Sequence, residues 1–400
     1  MRAERSTAGS SGLVARFASN ALRQAVGAGL FFATTLLLSH GLGMAGYGRY
    51  FVNWNLAQIL VAAVSFGLYN DTIRRLAQGE PPRGVLRGLI VPHMIQLAAL
   101  AITALLLWRY SNYDAKLVFL IAAATTSGTL LTAISLGLDA FRVFAVGELL
   151  NNLALLALVA IWMPGSPGQL GWLYVAATSV KLLYYLGGLR PGHWSAYPDG
   201  TQGRCATVGE GRRYALLAYG HSVLQITTFR GFVLASGFLL PPGGMGQLAV
   251  IWALCDRALT LVQGINQILY PRLMMATVSA GFRLWTNVST SAAYVATVAA
   301  LVLSCIVLGR LGVITNLRIE YPALLLCVAL VPHVVRLLKM TEALAESRFV
   351  DLFASHAIAV VTSGIAFVFF VQLNITGLWV PPALIFIASS VGLVALYRVR

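Results

Sequence analysis

Apolar stretches of about twenty residues, parted by short polar breaks, recur along this chain from residue 20 to residue 397. A helix needs about 20 mostly apolar residues to cross the hydrocarbon of a bilayer. The breaks mark about twelve such spans, at 20–42, 50–69, 89–108, 117–138, 143–163, 170–189, 214–238, 247–269, 288–308, 321–338, 352–373 and 378–397. Of the 400 residues 58% are hydrophobic and 10% charged. A soluble domain is about 45–50% apolar and about 25% charged, so no soluble domain fits beside the spans. The expected fold class is an all-α integral membrane protein, with about 12 transmembrane helices in two six-helix lobes.

The formal charge of +15 would point to nucleic acid in a soluble protein. Here Lys and Arg gather at span ends. With the N-terminus inside, 20 fall on the cytoplasmic side, including Arg336, and five outside. That bias orients the chain with both termini in the cytoplasm. No nucleic acid partner is expected. Residues 1–20 lack the apolar core and cleavage site of a signal peptide, so the first span is expected to stay. Cys205, Cys255, Cys305 and Cys327 are scattered without metal spacing and read as small buried hydrophobes.

The longest polar stretch, 190–213, is the expected cytoplasmic linker between lobes at 1–195 and 205–400. A shift of 198 residues superposes Gly46 on Gly244, Gly48 on Gly246, Trp54 on Trp252 and Arg74 on Arg272. Six spans per half keep both halves in one orientation, a parallel repeat about an axis normal to the membrane.

Charges inside spans are costly, about 2.5–3.5 kcal/mol each at a helix centre on the insertion scale, and mark polar pathways by default. The seventh span carries Arg230 and the eighth carries Asp256 and Arg257, with Pro241-Pro242-Gly243-Gly244 between them. Asp256, Thr260, Gln263, Gln267 and Tyr270 fall on one helical face, and Arg257 lies about 100° away. An Asp–Arg pair neutralised between packed helices is the alternative to a cavity-lining stripe. His221, Gln225, Thr228 and Phe232 share a face that excludes Arg230, so either Arg230 meets the cavity while the others pack, or the reverse. Asn55 and Gln58 in the second span can bind sugar hydroxyls or other helices. Glu148 reads as a helix-start acid, with proton coupling as the alternative, and Lys181 as snorkelling to the cytoplasmic end. His93, His333 and His356 are isolated and expected to pack. With no nucleophile triad, phosphate loop or metal cluster in the sequence, the reading is not an enzyme and no cofactor is expected.

Three stretches carry a family likeness. Gly46-Tyr47-Gly48-Arg49-Tyr50 resembles a glycine–aromatic turn, and Phe66-Gly67-Leu68 with Arg74-Arg75-Leu76-Ala77 a second-helix ending. Met245-Gly246-Gln247-Leu248-Ala249 through Tyr270-Pro271-Arg272-Leu273 resembles the eighth helix and its exit. Together they resemble the Wzx-type flippases, the polysaccharide branch of the MATE-like (MOP) exporter superfamily. Many members carry an acidic then a basic residue mid-way along the seventh helix, where this chain has Arg230-Gly231. The resemblance implies alternating access by two lobes in a bacterial inner membrane. It further implies an undecaprenyl-pyrophosphate-linked oligosaccharide cargo moved from the inner to the outer leaflet, with membrane lipid and glycan-assembly proteins as partners. Arg230 and Arg257, beside Asp256, would then hold pyrophosphate, while Gln263, Gln267, Asn55 and Gln58 would line the sugar path. The rivals are a drug or cation exporter of the same fold, a membrane glycan polymerase or ligase, and a partner subunit without transport activity. No central carboxylate in the first three spans and no large external loop speak for the first two rivals.

Overall fold

The computed structural model describes residues 10–398, apart from 66, 78–79, 111–113, 139, 190–207, 275–279, 311–320 and 376. The described residues form helices and no strand. Helix α1, Ser10–Val64, is two helices joined at Gly43, whose φ of 67° and ψ of 165° lie outside helical space. Glycine reaches positive φ without steric cost. Gly27 sits beside Asn152 and Gly41 beside Met163, so the first arm runs alongside α5. Asn53 Oδ1 accepts the Asp114 amide at the other end of the next loop pair, so the second arm runs back. The turn expected over 41–48 therefore shrinks to one residue, and the second crossing begins at Met44 rather than at residue 50.

The second span also ends sooner than its hydropathy suggests. Gly67, at φ 71°, breaks the chain, and α2 (Leu68–Ala77) follows as a separate amphipathic helix. It buries Ile73 and Leu76 and keeps Arg74 on Asp71 and Arg75 on Glu80, both at 2.8 Å. Then come α3 (Pro82–Tyr110), α4 (Ala115–Gly137), α5 (Phe141–Ile161) and α6 (Pro167–Gly188). After them run α7 (Val208–Leu239), α8 (Pro242–Met274) and α9 (Ala280–Arg310). The tenth span is divided into α10 (Tyr321–Ala329) and α11 (Val331–Ala345). Pro332, without an N–H, cannot bond to the preceding turn and breaks the ladder there. Helices α12 (Phe349–Gln372) and α13 (Val380–Arg398) complete the chain.

With α1 counted as two crossings, α10–α11 as one and the short amphipathic α2 set aside, the described helices make the twelve expected. Seven described helices are long and apolar enough to cross a bilayer, the stretch Ala25–Val64 among them. Helices α1–α6 pack mainly on one another, as do α7–α13, and α1 against α8 forms the principal junction. Of the expected linker, 190–207 lie outside the described residues, and from Val208 onward the chain is already the first turn of α7. The junction is apolar and aromatic, with Tyr47, Phe51, Leu248, Ile251 and Trp252 buried together.

Candidate functional site

Helical periodicity builds a cavity of about 480 Å³ in the first helix group. Residues three or four apart on a helix share a face. Trp54, Gln58 and Val61 line it from α1 and Ser65 from just past its end, Thr125, Thr129 and Thr132 from α4, and Glu148, Asn151 and Asn152 from α5. Helix α6 adds Tyr174, Thr178 and Lys181, and α7 adds Ser222 and Ile226 from the other group. Trp54 and Tyr174 meet edge to face in the lining, their ring centroids 5.0 Å apart. The cavity extends from there to Tyr69 and Asn70 on α2.

The charged pair in the lining is Glu148 and Lys181. Lys181 Nζ lies 2.5 Å from Glu148 Oε1. Thr132 Oγ1 donates to the same oxygen at 3.2 Å and Tyr185 OH at 3.3 Å. Gly147 makes room for this arrangement, because a Cβ there would overlap the Tyr185 ring. Lys181 therefore turns into the bundle instead of snorkelling, and Glu148 is a cavity carboxylate instead of a helix-start acid. The sequence signal was weak: both residues sit about two turns from the same ends of neighbouring spans, and a hydropathy trace carries no helix rotation. The Glu148 side chain is 34% exposed and that of Lys181 10%. Glu148→Ala, which strands the more buried ammonium, is expected to lower stability by about 2 kcal/mol. Glu148→Ala/Lys181→Met is expected to restore most of that loss, read as the unfolding temperature in detergent.

A second polar group spans the junction. Arg230 Nη1 donates to Asn55 Oδ1 at 2.8 Å, and Nη2 donates to Asp256 Oδ1 at 3.2 Å. Asn55 Nδ2 is held by the Phe51 carbonyl at 2.8 Å, which fixes Oδ1 toward the guanidinium. Arg230 and Asp256 are 14% and 17% exposed. Neither alternative for the seventh span holds as stated: Arg230 turns to the other group without entering the cavity, while His221 meets His356 and Gln225 faces a small pocket within their own group. Arg230 is tied into a cross-group latch and does not line the cavity. Gln58 does line it. Arg257, Gln263 and Gln267 lie on α8, with their side chains outside the described residues, so the expected stripe is represented by Asp256 alone.

The junction has unlike ends. Near Gly43, α8 approaches so closely that any Cβ on Gly246 would overlap the Met44 backbone. At the α2 end the groups touch through Tyr219 OH on the Ala63 carbonyl and Asn70 Nδ2 on Ser222 Oγ at 3.4 Å. One end is interlocked backbone and the other is held by side-chain hydrogen bonds.

Several residues expected to be isolated have partners. His356 lies between Arg336 and His221, at 3.1 Å from each. His333 stacks on Phe229 at 4.3 Å, and His93 meets Gln96 at 3.2 Å. Arg336, counted among cytoplasmic charges by sequence, is buried between helices. Cys255 and Cys327 are free thiols with sulfurs 3.5 Å apart. They come together because α8 packs on α10.

No family model matches the chain, and no curated protein matches it in sequence. Solved structures do match over nearly the whole length. One is the outward-facing conformation of a multidrug resistance MATE family transporter of the MOP superfamily, at TM-score 0.62 and 15% identity, covering 95% of this chain and 93% of that one. A MOP superfamily transporter from Pyrococcus furiosus, described as having a binding pocket of reverse polarity, matches at 0.62 and 13%, again over 95% and 93%. The eukaryotic MATE transporter AtDTX14 matches at 0.54 and 13%, over 96% of each chain. This chain has the MATE fold. In MATE-fold terms, α1–α6 and α7–α13 are the two six-crossing lobes. The cavity belongs to the first lobe, and the latch ties the lobes together.

Proposed function

We propose that this chain is a membrane transporter working by alternating access, and that its cargo is a lipid-linked oligosaccharide passed from the inner to the outer leaflet. The cavity lining carries this reading. It includes ten uncharged Asn, Gln, Ser and Thr residues, against one carboxylate and one ammonium that neutralise each other. Amides and hydroxyls offer donors and acceptors together, which suits sugar hydroxyls. A cationic drug would instead favour a carboxylate without its own counter-ion. The excess of Lys and Arg at the α2 end supports a cytoplasmic position for that end and for both termini, and the membrane proposed is a bacterial inner membrane. The cargo's pyrophosphate would reach Arg230 as the latch opens, replacing Asp256 as its anionic partner.

The MATE fold also serves multidrug transporters, as one matched structure's description states. A drug exporter of this fold is therefore the second reading. The two separate in a deletion strain, by measuring which leaflet holds the lipid-linked sugar and the strain's resistance to cationic dyes. Accumulation on the inner leaflet with unchanged dye resistance is expected. Dye hypersensitivity with normal sugar distribution would reverse the assignment. Asn151→Leu/Asn152→Leu is expected to slow flipping about tenfold, the loss of one or two hydrogen bonds of about 1 kcal/mol each.

A further inference from the structure

The second lobe holds a guanidinium that the transport reading leaves unused. Arg336 on α11 is 2% exposed. Its Nε donates to Ser355 Oγ at 3.2 Å, and Nη2 donates to the Ser355 carbonyl at 3.3 Å and to His356 Nδ1 at 3.1 Å. A guanidinium only donates, so His356 Nδ1 accepts and its proton sits on Nε2. That Nε2–H donates to His221 Nδ1 at 3.1 Å. Both rings are thereby set as neutral tautomers, and neither supplies negative charge. Among the described residues no carboxylate lies within ion-pair distance of Arg336. A full positive charge is enclosed with neutral partners only, where buried charges ordinarily have a counter-ion.

The remaining nitrogen, Nη1, takes part in none of these bonds. Arg336 lines a small cavity shared with Gln225, Thr228, His333 and Ser389. The centre of a water-sized sphere can move over about 10 Å³ within it, room for a single small occupant. The Gln225 amide and the Ser389 hydroxyl are donors on its wall. The Thr228 hydroxyl is committed to the Leu224 carbonyl at 2.6 Å. Phe229 stacks on His333 beside it.

We infer that this cavity binds one monatomic anion of the chloride kind, as counter-ion to Arg336. Room for one water-sized sphere suits a monatomic ion rather than a tetrahedral oxyanion, so chloride and not free phosphate or a lipid phosphate is the occupant we assign. The ion ties α7, α11 and α13 together inside the second lobe. A guanidinium serving only as a hydrogen-bonded strut would make the protein indifferent to which anion is in solution.

The test uses the full chain purified in detergent, with gluconate as the starting anion. Chloride is titrated in, and the unfolding temperature is read against sulfate at matched ionic strength. A saturable rise with chloride and none with sulfate is expected. Gln225→Leu and Ser389→Ala leave the Arg336 bonds to Ser355 and His356 in place. Each is expected to raise the half-saturating chloride concentration about tenfold, as loss of one hydrogen bond to a charged group does. Equal unfolding temperatures in gluconate, sulfate and chloride overturn the site. So does a chloride response unchanged in both variants.

Discussion

Asp256→Ala is expected to destabilise the protein by about 3 kcal/mol, the cost of leaving one member of a buried ion pair unpaired. The Arg230 guanidinium would keep Asn55 as its neutral partner and lose its counter-charge. Arg230→Met/Asp256→Ala is expected to regain most of that stability, since replacing both charges by apolar groups is often nearly neutral. Transport should not recover with it. Differential scanning of the purified variants, alongside a flipping assay in the deletion strain, checks both halves. If the double variant is as active as wild type, the latch holds the lobes and does nothing more. If Asp256→Ala unfolds no earlier than wild type, the pair contributes little to the assembled bundle.

Gly246→Ala is expected to push the lobes apart at the Gly43 end. A methyl there would overlap the Met44 backbone, which cannot rotate away as a side chain could. Overpacking of this kind costs about 1–3 kcal/mol. A penalty of about 2 kcal/mol on the closed arrangement would shift the balance of conformations about thirtyfold toward opening at that end. Spin labels at Ala45 and Gly243, both exposed beside the contact, are expected to move apart in the variant. Gly364→Ala, where a Cβ meets nothing within 4 Å, is the control and should leave the distance unchanged. An unchanged distance in Gly246→Ala would mean that the local helix ends absorb the methyl and the lobes do not respond.

The crossings were legible because lipid imposes a length and a composition that any span must meet. Their ends were less so. Residues 41–48 read as turn because of their glycines, yet only Gly43 leaves helical space, and its neighbours are helical on either side. The break at Pro332 was readable as chemistry but was lost in a smooth hydropathy trace. Of the site, the pair of helices carrying Arg230 and Asp256 was visible from the cost of intramembrane charge, and the structure joins those two residues. Their third partner, Asn55, could not be singled out from Asn53 and Gln58 without knowing which face of α1 meets α7. Glu148 and Lys181 failed for the same reason. Each has an ordinary explanation alone, and only the packing of α5 on α6 makes them one group. The same holds for His221, Arg336 and His356, which come from three helices and share no sequence spacing.

The single-residue joint at Gly43 bears on how any opening must proceed. With no loop between them, the two arms of α1 have no slack, and neither can slide without dragging the other. Helix α1 is the principal surface that α8 rests upon, with Phe51 of its second arm against Trp252, while the first arm lies along α5 beside Asn152. A rocking motion at the junction would therefore be delivered mechanically to the first-lobe cavity through one rigid hairpin. Lengthening that joint by a few flexible residues would uncouple the lever from the load.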